Sequence, residues 1–148
     1  MAAPEQGETI EESPVGWVAK HVRRYVATDG AEGARYQGYD ALLVTTRGRR
    51  SGTLRRTALY YGRDGGDRIV LVASNGGAAA HPNWYLNLAA DPEVEVQIGP
   101  ERFRGRARTV SGEERTRLFE LMTKVFPRYA GYQRDTDREI PVVVIERA

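Results

Sequence analysis

Ala41-Leu42-Leu43-Val44-Thr45-Thr46-Arg47-Gly48-Arg49-Arg50-Ser51-Gly52-Thr53-Leu54-Arg55-Arg56-Thr57-Ala58-Leu59-Tyr60-Tyr61 sets an arginine-rich turn between two apolar runs. Five arginines fall between positions 47 and 56, with no acidic residue among them. Gly48 and Gly52 flank the densest part. The runs on either side have the length and composition of strands. The turn between them therefore brings guanidinium groups and backbone amides together, which suits an anion of fixed shape.

Outward from this hairpin the pattern stays β. Tyr39 to Thr46 and Thr53 to Arg63 read as strands, followed by the hairpin signal Asp64-Gly65-Gly66-Asp67. Arg68 to Ala73 is almost continuously apolar, which predicts a central strand buried on both faces. Val94, Val96 and Ile98 alternate with Glu93, Glu95 and Gln97, the pattern of a strand with one wet face. Phe103 to Val110 alternates as well, and Ile140 to Glu146 closes the chain as a strand.

Helices lie at the margins. Ser13-Pro14 is a helix start, Val15, Val18, Val22 and Tyr25 follow at helical spacing, and Gly30 is a stop. Pro82 to Ala90 reads as a short helix, with Trp84 and Leu88 one turn apart on the core side. Ser111-Gly112-Glu113-Glu114 is a capping box for a helix to about Phe126. Pro127 to Arg138 reads as a polar, mobile loop bearing Tyr129 and Tyr132. The fold expected is mainly β, of the α+β class. It is a small barrel-like sheet of about six mostly antiparallel strands with peripheral helices, because closure removes exposed edges.

The 148 residues are one domain's worth of chain. Residues 1–12 carry Glu5, Glu8, Glu11 and Glu12 and read as a disordered acidic tail, so the domain spans 13–148. The absence of cysteine excludes disulfides and thiolate metal sites. No apolar run approaches a membrane span and the N-terminus is not a secretory signal, so a cytoplasmic protein is expected. The helix over 14–28 could pack on the barrel, on a second subunit or on a membrane surface. A net charge of +2 and an arginine cluster without interleaved aromatics argue against nucleic-acid binding. His21 and His81 have no acidic companions at metal-ligand spacing, so no metal is expected.

Three further stretches complete a pattern. Ala73-Ser74-Asn75-Gly76-Gly77 follows the most buried strand and presents small residues to a flat ring or phosphate. His81-Pro82-Asn83-Trp84-Tyr85-Leu86-Asn87-Leu88 opens a helix, and Phe126 to Arg134 carries the two tyrosines. Together with Thr45 to Gly52, Arg55 and Leu59-Tyr60-Tyr61, these stretches resemble the deazaflavin-dependent nitroreductase family over residues 14 to 148. The resemblance implies a split β-barrel related to FMN-binding oxidoreductases. It also implies the reduced deazaflavin coenzyme F-420, found mainly in actinobacteria and methanogens. The implied reaction passes a hydride to a quinone, an enone or a nitroaromatic compound.

Carried over by position, Arg50, Ser51 and Arg55 would hold the coenzyme's phosphate and acidic tail, with Arg49 and Arg56 assisting. Ala73, Ser74, Asn75, Gly76 and Gly77 would run beside its ring and ribityl chain. Trp84 and Asn87 would support that loop, and Tyr60 would lie near the pocket. Tyr129 and Tyr132 would face the substrate, with Tyr132 as proton donor or orienting hydroxyl. Arg50 stands where members often carry lysine, Phe126 where some carry a third tyrosine, and Thr57-Ala58 where some have Asn-Pro. The alternatives are an FMN-binding split barrel, a non-catalytic deazaflavin carrier and a basic nucleic-acid-binding barrel. A monomer and a homodimer both fit.

Overall fold

The structure, a computed structural model, describes residues 10–11 and 16–148. Strand β1 is Ile10–Glu11, helix α1 Gly16–Ala27, β2 Arg35–Tyr36, β3 Tyr39–Arg47 and β4 Leu54–Tyr60. Then come β5 Gly62–Asp64, β6 Arg68–Val72, α2 Asn83–Ala90, β7 Glu93–Ile98 and β8 Glu101–Thr109. Helices α3 (Gly112–Val125) and α4 (Arg128–Arg134) precede β9 (Val142–Arg147). The expected tail lies outside the described residues except for Ile10 and Glu11, which pair in parallel with Leu54 and Arg55. The Ser13-Pro14 helix start also lies outside them.

All other pairings are antiparallel, in the order β1-β4-β3-β7-β8-β9-β6-β5, with β2 on β3. Strands β4 and β5 stand near opposite margins, yet only Tyr61 separates them in the chain. In a flat sheet, six interstrand steps would hold them about 29 Å apart. Two residues of chain reach about 7 Å. The sheet must therefore curl until its margins meet, which gives the barrel.

Curling gives the strands two buried faces. Inside lie Leu42, Val44, Ile69, Leu71, Val94, Val96, Val143 and Ile145, with Leu88 of α2 packed among them. Outside, Val70, Val72, Val142 and Val144 are covered by Leu118, Met122, Phe126 and Tyr129. Strand β6 is thus buried on both faces as its apolar run predicts, although it sits next to an edge and not at the centre. A third cluster joins Val22 and Tyr25 of α1 to Leu43 on β3.

Several local readings change. The run over 53–63 is two strands, because the chain crosses between sheet margins at Tyr61. The expected connector before Tyr39 contains a hairpin, with Gln37 and Gly38 both at positive φ. Such a two-residue turn matches strand twist, but Gln-Gly is a weaker signal than Asn-Gly. The capping box does not form. Ser111 makes no side-chain cap bond, and Glu114 accepts two bonds from Arg108, at 2.8 and 3.0 Å. The expected loop at 127–138 begins with helix α4. Pro127 at φ −59°, ψ −22° starts it, as proline's fixed φ favours at a helix entry.

Tyr25 ties α1 to the barrel. Its side chain is fully buried, and its hydroxyl lies 3.1 Å from the Ala41 carbonyl and 3.3 Å from that of Gln97. It also accepts the Gly99 N–H at 2.7 Å. Tyr25→Phe leaves these buried groups without that partner and should cost about 1–3 kcal/mol. Urea unfolding of both proteins checks this, and equal midpoints would contradict it.

Candidate active site

The arginine turn is closed by two backbone bonds, Gly48 N–H to Thr53 O at 2.7 Å and Gly52 N–H to Gly48 O at 2.9 Å. A Cβ at Gly48 would stand 2.8 Å from Ser51 Oγ and 3.1 Å from Thr53 O, so the turn is tight because residue 48 has no side chain. Ser51 Oγ accepts the Thr53 N–H at 3.1 Å. Arg47 donates to Gly52 O at 2.7 Å. Arg49 donates to Asn87 Oδ1 from its backbone (3.2 Å) and from its guanidinium (3.0 Å). Asn87, 2% exposed, donates in turn to Thr46 Oγ1 at 3.4 Å. One buried asparagine on α2 thus anchors the turn to the barrel.

Alternation along β4 separates two of the predicted residues. Arg55 lies opposite Thr46, on the face that carries Leu59 to the barrel interior. Its Nε would stand 3.4 Å from a Cβ at Gly48, which places it beside Ser51. Arg56 lies opposite Thr45 on the outer face and donates to Thr45 Oγ1 at 3.3 Å. Burial lowers its guanidinium pKa, and the nearby Glu95 carboxylate acts the other way. Arg50 and Ser51 are exposed at the tip. The structure therefore gathers Arg49, Arg50, Ser51, Arg55 and Asn87 and sets Arg56 on the other face.

The second group gathers around the segment after β6. Ala73 is fully buried and Ser74 is 9% exposed. Asn75, Gly76 and Gly77 are left-handed, at φ +48°, +63° and +82°. Around Gly76 nothing lies within 4 Å of where a Cβ would point, so a bare stretch of backbone faces open space. A Cβ at Gly77 would instead meet Tyr132 O at 3.1 Å and Tyr132 Cα at 3.2 Å. The loop thus packs directly on α4. Trp84 packs on the inner cluster near Leu88, as its spacing predicts.

Tyr132 is half-buried, with its ring 6.4 Å from those of Phe126 and Tyr129. Tyr129 is 5% exposed and belongs to the outer core. Burial pushes its phenol well above the ordinary range, which makes it a poor proton source. The Tyr60 ring packs tilted against those of Tyr39 and Phe126, with centroids 5.2 and 5.0 Å away. Its phenol is also raised, by burial first and then by Tyr36 and Tyr39. Leu54 and Tyr60 bound β4, so the turn and the tyrosines lie roughly 20 Å apart along one strand. The candidate site thus has a cationic cluster and an aromatic cluster at the two ends of β4, with Tyr60 on the face opposite Arg55 and Leu59.

One residue of this surface lies outside the sequence-predicted set. Arg138 donates to Ala78 O at 2.8 Å, Ala73 O at 3.3 Å and Ser74 O at 2.7 Å, and contacts His81 Nδ1 at 3.0 Å. Arg138 ends the stretch read as a loop, and nothing in that stretch indicates that the arginine folds back some sixty residues. Among the described residues, no group of three or more His, Cys, Asp or Glu could hold a metal ion. No helix among them is long and apolar enough to cross a membrane.

A curled, mostly antiparallel sheet with peripheral helices, carrying an arginine-rich turn at one end of β4 and tyrosines at the other, has the architecture of the split-barrel oxidoreductases. Similarity narrows the class. Residues 17–147 match the family described as F420H(2)-dependent quinone reductase. A reductase of that description from Mycobacterium tuberculosis is 38% identical over 144 residues, covering 88% of this chain and 96% of its own. A solved F420-H2 dependent reductase is 41% identical at a TM-score of 0.66, covering 72% of this chain and 93% of its own. A solved domain-swapped dimer is 38% identical at a TM-score of 0.70, with 90% of this chain and all of that one covered. The chain belongs to the F420H(2)-dependent quinone reductase family.

His81 gives the site a pH signature. Burial, and then the Arg138 cation, lower its pKa from the ordinary value. The unfolded chain, titrating near about 6.5, binds the proton more readily than the folded one. Stability is therefore complete above about pH 6.5 and falls as the pH drops toward the folded value. His81→Asn should flatten this part of the stability–pH curve. Melting temperatures from about pH 8 to about pH 5 test it, and parallel curves for the two proteins would count against it.

Proposed function

We propose that this chain transfers a hydride from reduced coenzyme F-420 to a quinone, with the coenzyme's acidic end on the arginine turn and its ring on the Ser74–Gly77 loop. The observation that carries this reading is the contact between Gly77 and the Tyr132 backbone. It brings a loop with open backbone at Gly76 against the helix that carries the half-buried Tyr132, in a chain of this family, which supports a seat for a flat ring there.

The residues fit such a group. Arg50, Ser51 and Arg55 offer charge and hydrogen-bond donors for a phosphodiester or carboxylate. Arg49 contributes through the tip it fixes to Asn87. The open side of Gly76 lets a ring approach the main chain. The roughly 20 Å of β4 between the two ends suits a long coenzyme better than a short one. When bound, the reduced deazaflavin supplies a hydride, the chemistry that the side chains lack.

The protein's part is orientation and protons. Net transfer of a hydride to a quinone gives the hydroquinone monoanion, which must gain one proton to become the hydroquinone. Tyr132 is the hydroxyl we assign to hold or deliver it. Tyr60, Tyr39, Phe126 and Tyr129 form the apolar wall that keeps water away. Enones and nitroaromatics are narrower extensions of the same chemistry. FMN is the competing cofactor, and a carrier without turnover is the competing role.

Tyr132→Phe should lower turnover with menadione by about 10–100-fold, within the range of one acid–base contribution, and leave coenzyme affinity nearly unchanged. Fluorescence titration with oxidised coenzyme F-420, with FMN as the comparison, tests the cofactor. Tight FMN binding without deazaflavin binding would overturn the assignment. Binding without turnover would make the chain a carrier.

A secondary reading concerns placement. Trp17 is 63% exposed near the start of α1, and Lys20, Arg23 and Arg24 are exposed on the same helix. These residues support a peripheral contact with an anionic membrane surface, where a lipid-soluble quinone resides. Cosedimentation with phosphatidylglycerol vesicles should fall on Trp17→Ala. Equal sedimentation of the two proteins would exclude this face. The domain-swapped relative supports a homodimer.

A further inference from the structure

We propose that Arg138 is a positioning residue for hydride transfer: its guanidinium clasps the segment from Ala73 to Ala78 and holds it at one fixed place relative to Tyr132. This rests on the reading above that the segment seats the coenzyme ring.

The segment has little to hold its own shape. Three consecutive residues are left-handed, and one of them, Asn75, carries a Cβ. Within the segment the backbone makes two turn bonds, Gly77 N–H to Ser74 O at 2.9 Å and Ala78 N–H to Asn75 O at 3.1 Å. Asn75 adds one side-chain bond to Ala80 O at 3.0 Å. Left-handed non-glycine backbone costs energy and persists only where the surroundings determine it. Arg138 supplies that determination. One planar fork binds three carbonyls, on both sides of the left-handed residues, and the His81 ring.

The chemistry of the fork fixes the imidazole as well. A guanidinium has donors only, so His81 Nδ1 must present a lone pair and the neutral ring carries its proton on Nε2. Protonation of Nδ1 would turn that contact into one between two cations. Besides Arg138, Tyr85 faces this ring, with centroids 5.1 Å apart.

Arg138 is itself held to the helix that carries Tyr132. Gln133, the next residue on α4, donates to the Arg138 carbonyl at 2.8 Å. Gln133 Oε1 accepts the Ile140 N–H at 2.9 Å and an Arg115 N–H at 3.1 Å. Arg115 also donates to Ile140 O at 2.8 Å. The Gly77–Tyr132 contact closes the ring of interactions. The proposed seat and the proposed proton donor are thus fixed to each other through Arg138. His81 also stands just before α2, whose Asn87 holds Arg49, so the same clasp adjoins the helix that anchors the cationic end.

Arg138→Gln tests this in three measurements. In the protein without coenzyme, hydrogen-exchange protection of the Gly77 and Ala78 amides should fall about tenfold, as loss of charge-assisted bonds implies, while Leu118 and Met122 in α3 stay protected. In fluorescence titration the dissociation constant for oxidised coenzyme F-420 should rise about tenfold. With menadione at saturating coenzyme, kcat should still fall, because the ring no longer sits at one distance from Tyr132. Arg138→Lys should restore little, since a point charge cannot serve four acceptors in a plane. A merely structural arginine would lose α3 protection along with the loop and leave kcat intact once coenzyme is saturating. Unchanged loop protection in Arg138→Gln overturns the proposal. So does lost protection with an unchanged dissociation constant and kcat. If the wild type fails to bind the coenzyme, the functional reading falls, and hydrogen exchange alone then decides the clasp. If Arg138→Gln does not fold, Arg138→Lys carries the same measurements, because it keeps the charge and loses the planar fork. Wild-type behaviour there overturns the clasp equally.

Discussion

The structure depends on the single-residue link between β4 and β5. Because Tyr61 alone joins strands near opposite margins of the sheet, the sheet cannot lie flat. Curling turns one face of β6 and β9 inward and leaves the other to be covered from outside. It is why Ile69 and Leu71 pack in the barrel while Val70 and Val72 pack under α3. It also brings Tyr60, at the end of β4, to Phe126 at the end of α3. The aromatic end of the candidate site is therefore a consequence of closure.

Much of this was legible in the residues. Alternation over 93–98, the apolar run at 68–73 and the Asp64–Asp67 turn each have one local solution, and each element formed where its pattern placed it. Trp84 and Leu88, one helical turn apart, face the core for the same reason. What was not legible depends on contacts distant in sequence. Nothing local says that a run over 53–63 must break at Tyr61. The break follows from where the sheet margins meet. Glu114 completes a capping-box pattern, yet Arg108 on the neighbouring strand takes its carboxylate. Two polar turns around Tyr129 and Tyr132 read as loop, because part of the burial that makes them helix comes from Val72, more than fifty residues back along the chain.

The arginine turn shows a similar division. Charge counting finds five cations and suggests that they act together on one polyanion. In three dimensions Arg47 and Arg49 shape the turn, through Gly52 O and Asn87 Oδ1, and Arg56 faces away from Arg55. The excess of positive charge over one phosphate therefore does not by itself separate a deazaflavin from FMN. What favours the deazaflavin is membership of the F420H(2)-dependent family.

Seen this way, the arginines of this chain do two kinds of work, and exposure separates them. At the tip, Arg50 is exposed and suited to a ligand that arrives from water. Arg138 is partly buried and directs its donors to main-chain carbonyls and an imidazole lone pair. A cation placed so holds backbone that would otherwise relax, because leaving those carbonyls unpaired in a partly buried site costs more than the bonds gain in water. Glycine and small residues at 76–80 leave the proposed seat open to a flat ring, and the same residues cannot stiffen it. The openness that a ring needs and the fixed geometry that hydride transfer needs are conflicting demands on one short loop. In the proposed arrangement they are met by different parts of the chain, the loop supplying access and a distant arginine supplying rigidity.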